Sequence, residues 1–143
     1  MVILGIGNIL KGDDGAGPRV CEEIKQKVSA EVIDCGTVPE NYIQPIIKRA
    51  PEALIIIDAI HFAGTPGAVK VFETEQLSTA VVSTHTLSPR LFVDLIRQNI
   101  EVEVCLIGIQ PAQTQLGEPL SGEVEQAVRR LSSVLTQVFP AKN

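Results

Sequence analysis

Gly5-Ile6-Gly7-Asn8-Ile9-Leu10-Lys11-Gly12-Asp13-Asp14-Gly15-Ala16-Gly17 is the stretch on which the reading of this chain turns. Ahead of it, Val2 to Ile6 is apolar without alternation, the pattern of a strand buried on both faces. Behind it, Pro18 suits a first helical turn, and Val20, Cys21, Ile24 and Val28 recur at helical spacing. A strand that runs through glycines into a helix opens an α/β sheet. Such sheets keep their sites in loops at the C-terminal ends of the strands. Asp13 and Asp14 are adjacent carboxylates, which repel unless a cation or proton lies between them. The stretch therefore offers a candidate acidic metal or catalytic site.

Working outward, short apolar runs alternate with helical patterns, the signal of a three-layer α/β/α sandwich. Glu31 to Asp34 reads as a second strand and Ala53 to Asp58 as a central one, with Asp58 at its end. Tyr42, Ile43, Ile46 and Ile47 share one helical face, and Pro45 makes that helix start late or kink. Ala68 to Glu73 alternates, Val69 and Val71 against Lys70 and Phe72, as an edge strand does. Its connection to the preceding strand is too short for a helical crossover, so an antiparallel course is expected. Ser88-Pro89 opens a helix with Leu91, Phe92, Leu95 and Ile96 inward. Val102 to Ile109 is the last strand. Ser121 can cap a final helix that buries Val124, Val128, Leu131, Leu135 and Val138. No repeat or linker divides the chain, so residues 1–143 are expected to form a single domain.

Composition narrows the function. A net charge of −5 argues against a broad nucleic-acid surface, which needs clustered Lys and Arg. No apolar run is long enough for membrane insertion, and no basic leader precedes the first strand, so a cytoplasmic protein is expected. Cys21, Cys35 and Cys105 are odd in number and lack a C-x-x-C pair, which disfavours a disulfide scaffold or structural zinc. Leu10 stands where a dinucleotide fingerprint needs its third glycine. Walker A, H-E-x-x-H, G-x-S-x-G and EF-hand patterns are absent from the sequence.

Three residues stand out by position: Asp14 after the first strand, Asp58 ending the central one, and His85 in the loop before a helix. Loops on one edge of a parallel sheet lie together, so the three can converge. Two carboxylates and an imidazole suit a divalent first-row metal with open positions. Each also has a plainer role. Asp13 or Asp14 can cap the following helix, Asp58 can accept loop amide hydrogen bonds, and His85 can be solvated. His61, three residues past Asp58, is a rival ligand.

The first motif, extended to Pro18, resembles the signature of the nickel–iron hydrogenase maturation endopeptidases. Gly36-Thr37-Val38-Pro39-Glu40-Asn41, Ile56-Ile57-Asp58-Ala59, Ser83-Thr84-His85 and Leu106-Ile107-Gly108-Ile109-Gln110-Pro111 continue the resemblance in order. The Pro-Glu-Asn and Gly-Ile-Gln-Pro segments look most like the branch serving hydrogenase 3 and related membrane-bound hydrogenases. The resemblance implies a five-stranded, mostly parallel sheet with one antiparallel strand. It implies an endopeptidase that removes the C-terminal tail of the hydrogenase large-subunit precursor after nickel insertion. The metal-contacting positions of the family fall on Asp14, Asp58 and His85, and Asp13 matches an acid that is not a ligand there. Nickel is then carried by the substrate rather than permanently bound, the partner is the nickel-loaded precursor, and a monomer is expected. Gly36 and the residues after it can shape a groove for the tail. The alternative is a non-catalytic nickel-sensing chaperone with the same fold and contacts.

Overall fold

β1 (Val2–Gly5) is buried along its whole length, because the chain supplies apolar side chains to both of its faces. The structure, a computed structural model, describes residues 1–73, 76, 82–83 and 88–142. In it β1 lies between β2 (Glu31–Asp34) and β3 (Ala53–His61), parallel to both. β3 pairs in parallel with β6 (Glu103–Ile109), and β6 pairs antiparallel with β4 (Val69–Phe72). The strand order is β2-β1-β3-β6-β4, the expected mixed sheet with one antiparallel strand. A further short strand, β5 (Val82–Ser83), pairs antiparallel with the end of β3, Ile60 opposite Ser83.

Helices cover both faces. α1 (Ala16–Ile24) and α4 (Gly122–Val138) pack Val20, Ile24, Val124 and Val128 against Ile3, Ile57, Ile107 and Ile109. On the other face, α2 (Ile43–Arg49) and α3 (Pro89–Arg97) pack Ile46, Phe92 and Ile96 against Leu4, Ile56, Ile60 and Leu106. At about 25 cal/mol per Å² of apolar surface, an aliphatic core of this kind is the main stabilising term.

Several details differ from the pattern read in the sequence. β3 runs on to His61, so Asp58 lies inside the strand rather than at its end; β5 supplies a partner that lets pairing continue. β4 lies antiparallel to β6 and not beside β3. Its buried member is Phe72, whose ring meets Phe62 edge-on at 5.7 Å, while Val69 and Val71 are exposed. α1 stops at Ile24, and Val28 instead bridges to Pro140. Val93 replaces Leu91 among the buried residues of α3, and Val138 of α4 is exposed. A helix-wide stripe drawn from spacing alone cannot tell which flank meets the sheet.

Candidate active site

Two glycines bring the first loop onto the sheet. A Cβ on Gly17 would meet the carbonyl oxygens of Ile57 and Ile6, so only glycine lets α1 lie directly on β1 and β3 there. Gly7 has φ +154°, and a Cβ there would run into the Asp14 carbonyl oxygen. With that space free, the Asn8 amide donates to Asp14 twice, to its carbonyl oxygen at 3.2 Å and to Oδ2 at 3.0 Å. The Ile6 amide donates to the Ile57 carbonyl at 3.0 Å. The chain leaving β1 is thus fastened to β3 one residue before Asp58. Asp14 sits in a 3-10 turn, Gly12–Gly15, that packs against β3.

Asp13, in the same turn, has a different role. It is 0% exposed and accepts four hydrogen bonds. Oδ2 takes the Ala112 amide at 2.8 Å, the Gln113 amide at 3.0 Å and the Ser121 hydroxyl at 2.8 Å. Oδ1 takes the Ser121 amide at 2.7 Å. Backbone bonds run beside it, from Asp13 N to Gln113 O at 2.7 Å and from Gly12 N to Glu118 O at 3.0 Å. Asp13 is a clasp between the loop after β1 and the loop after β6, and the Ser121 hydroxyl that it holds also caps α4 through the Val124 amide. Ser121→Ala removes both the cap and one donor to the clasp. It is expected to cost about 1–2 kcal/mol, more than Ser88→Ala, whose hydroxyl caps α3 alone; urea unfolding of the two variants checks the order.

Asp58 is 1% exposed and Asp14 4%. Both carboxylates are therefore withdrawn from water, Asp14 in the turn after β1 and Asp58 within β3, one residue past the pairing of Ile57 with Gly5 at the end of β1. Strand alternation places Asp58 on the face of Leu54, Ile56 and Ile60, and His61 on the opposite one. His61 is exposed, with Nδ1 3.4 Å from Gln110 Nε2. The buried Gln110 accepts the Phe62 amide at 2.8 Å and the Gly64 amide at 3.1 Å, which pins the turn after β3 to the end of β6. Ahead of the fold, only its place in the Gly-Ile-Gln-Pro segment singles out Gln110. His85 lies outside the described residues. Among the described residues, no three His, Cys, Asp or Glu side chains converge as a metal cage.

The cysteines do not offer a nucleophile. Burial, with Asp34 nearby, pushes the Cys21 thiol up to about 12. Burial, with Cys21 and Asp34 nearby, does the same to Cys35. Burial also raises Cys105. Reactive cysteines need the thiolate, and these thiols stay protonated at neutral pH.

A groove of about 300 Å³ borders the first loop, lined by Gly7 to Leu10, by Pro18, by Asp34 at the end of β2, and by Gly36 and Thr37 after it. The Gly7 amide donates to the Gly36 carbonyl at 2.9 Å, which holds the two walls together.

A family model described as hydrogenase maturation protease, HycI, matches residues 18–138. The hydrogenase 3 maturation protease of Escherichia coli K12 is 32% identical over 130 residues, spanning 89% of this chain and 83% of that protein. A putative hydrogenase maturation protease of Methanocaldococcus jannaschii is 30% identical over 149 residues, spanning 97% and 88%. The crystal structure of the [NiFe] hydrogenase maturation protease HycI from Thermococcus kodakarensis superposes with a TM-score of 0.87 at 34% identity, covering 96% of this chain and 90% of that one.

Proposed function

This chain belongs to the hydrogenase maturation protease family, and we propose that it removes the C-terminal tail of a nickel–iron hydrogenase large-subunit precursor after nickel insertion. The observation that carries the site assignment is the burial of two carboxylates, Asp14 and Asp58, at one sheet edge beside an open groove. Two carboxylates so placed favour a cationic guest. In this reading Asp14, Asp58 and His85 engage the nickel region of the precursor, and residues 1–143 act as one domain. Ser83 pairs with Ile60, two positions beyond Asp58 in β3.

Peptide hydrolysis then needs a polarised carbonyl and a water relieved of its proton. The nickel held by the precursor supplies the Lewis acidity, and either aspartate can accept the proton. The tail lies in the groove between the first loop and Gly36. Nickel belongs to the substrate because two carboxylates and one imidazole are hard ligands that hold nickel poorly against thiolates. Among the described residues no helix is long and apolar enough to cross a membrane, and the protein is taken to meet its precursor in the cytoplasm.

Mass spectrometry of the precursor, mixed with purified protein with and without nickel loading, tests the reading. Nickel-loaded precursor is expected to lose its tail without added metal, and nickel-free precursor to stay intact. Complex formation without tail release would favour the non-catalytic chaperone. Efficient cleavage of nickel-free precursor would falsify the substrate-borne metal and point to an aspartate-based mechanism.

A further inference from the structure

β2 lies at one edge of the sheet and, among the described residues, pairs with β1 alone. The Glu31 amide donates to the Met1 carbonyl at 3.1 Å, and the Cys35 amide to the Gly5 carbonyl at 2.8 Å. In a parallel ladder alternate residues bond to a given neighbour, so the backbone N–H and C=O groups of Val32 and Asp34 point away from β1. Among the described residues nothing pairs with those groups. A strand edge in this condition is a template for an added strand.

The same two residues line a cleft. It has a volume of about 320 Å³ and runs between one flank of α1, with Pro18, Cys21 and Glu22, and the face of β2 that carries Val32 and Asp34. Ile9, Pro18 and Asp34 border both this cleft and the groove beside the first loop, so the two form one path that leads from the first loop along β2. At the start of that path is Asn8, whose amide holds Asp14 Oδ2 at 3.0 Å. Cys21 is buried and Val32 half-buried, which makes the floor of the cleft apolar.

We propose that the tail of the precursor, beyond the bond that is cut, adds to the sheet as an antiparallel strand on the open edge of β2. The proposal rests on the proposed function, which supplies the tail. Continuity of the path with the loop that holds Asp14 selects the tail over a second copy of this chain. Its direction follows from connectivity. The groove beside the first loop lies at the C-terminal end of β2, next to Gly36 and Thr37, so a tail leading away from Asp14 passes Asp34 before Val32. The tail residues opposite Asp34 and Val32 exchange backbone hydrogen bonds with them, and the side chains of both enter the cleft. Main-chain pairing supplies affinity, and the apolar floor under alternate side chains supplies selectivity.

The test uses the full chain carrying Asp58→Asn, so that the tail stays attached, together with nickel-loaded precursor. Amide hydrogen exchange at Val32 and Asp34 should be fast in the free protein and slower by about tenfold or more in the complex. The Val69 and Val71 amides point away from β6 on the opposite edge strand, β4, and should not change. Precursor that has already lost its tail should leave Val32 and Asp34 fast. In the parent background, Val32→Pro removes the outward N–H and spares the bonds to β1, as proline on an edge strand can. It should raise KM about three- to tenfold with kcat within about twofold, since the lost contact is made equally in ground and transition states. The matching Val71→Pro should change neither. The exchange measurement alters nothing in β2, so it decides the matter even where Val32→Pro impairs folding. Slow exchange at Val32 and Asp34 before precursor is added means that a second copy covers the edge, and overturns the added strand. Tail release by the parent chain with both amides still fast in the complex also overturns it, and leaves the protease reading standing. Tail-dependent protection without any tail release by the parent chain keeps the added strand and overturns the protease reading. Absence of both complex and release overturns the two together.

Discussion

Asp58→Asn should abolish tail removal while leaving the melting temperature close to that of the parent chain. The substitution keeps volume and hydrogen-bonding shape but removes a charge. In the proposed mechanism that charge either meets the precursor's nickel region or takes the proton of the attacking water. Loss of a positioned acid–base group typically costs about 10²–10⁴ in rate. Stability should move the other way or not at all. Asp58 is 1% exposed in the middle of an apolar strand face, and a carboxylate in such surroundings is held at the expense of stability. Tail release followed by mass spectrometry, together with a thermal melt, reads both quantities. An Asp58→Asn protein that processes precursor at the parent rate would make Asp58 a structural residue.

Asp13→Asn should do the opposite: a large loss of stability, with activity falling because the site loses its support. The neighbouring acids differ by one position in sequence and wholly in environment. Asp13 accepts only from donors, three on Oδ2 and one on Oδ1. An amide offers one acceptor oxygen and sets its own N–H groups against a backbone or hydroxyl donor. At least one buried donor is then unpaired, and the remaining bonds lose their charge assistance. The expected cost is about 2–4 kcal/mol. For a chain of this size that corresponds to roughly 10 °C in Tm. Calorimetry of Asp13→Asn beside Asp58→Asn gives the contrast, and a Tm for Asp13→Asn within about 2 °C of the parent would show that the clasp contributes little.

Much of this molecule can be read without its coordinates, for reasons tied to particular residues. Strand positions are legible because Val2 to Ile6, Leu54 to Ile57 and Val104 to Ile109 are apolar runs that have no stable exposed form. The helix starts at Ser88 and Ser121 are legible because a hydroxyl two or three residues ahead of unpaired amides is a local device; both caps form. The family is legible in the Gly5 to Pro18 stretch, since backbone approach as close as that at Gly7 and Gly17 admits no other residue.

The tertiary structure alone decided other matters. The family resemblance sets Asp13 apart from Asp14 only as an acid that is not a metal contact, and it is the approach of Ala112, Gln113 and Ser121, about a hundred residues away, that makes Asp13 a clasp. Gln110 acquires its role from amides of a different strand's end. β4 chooses β6 as its partner and Phe72 as its buried side chain because of what lies beside it, not because of its own alternation. Sequence determines what is settled between residues a few positions apart, by propensity, capping and the cost of exposing apolar runs. Hydrogen bonds and contacts between distant segments depend on the closed fold, and in this protein they determine which of two adjacent buried acids becomes the clasp.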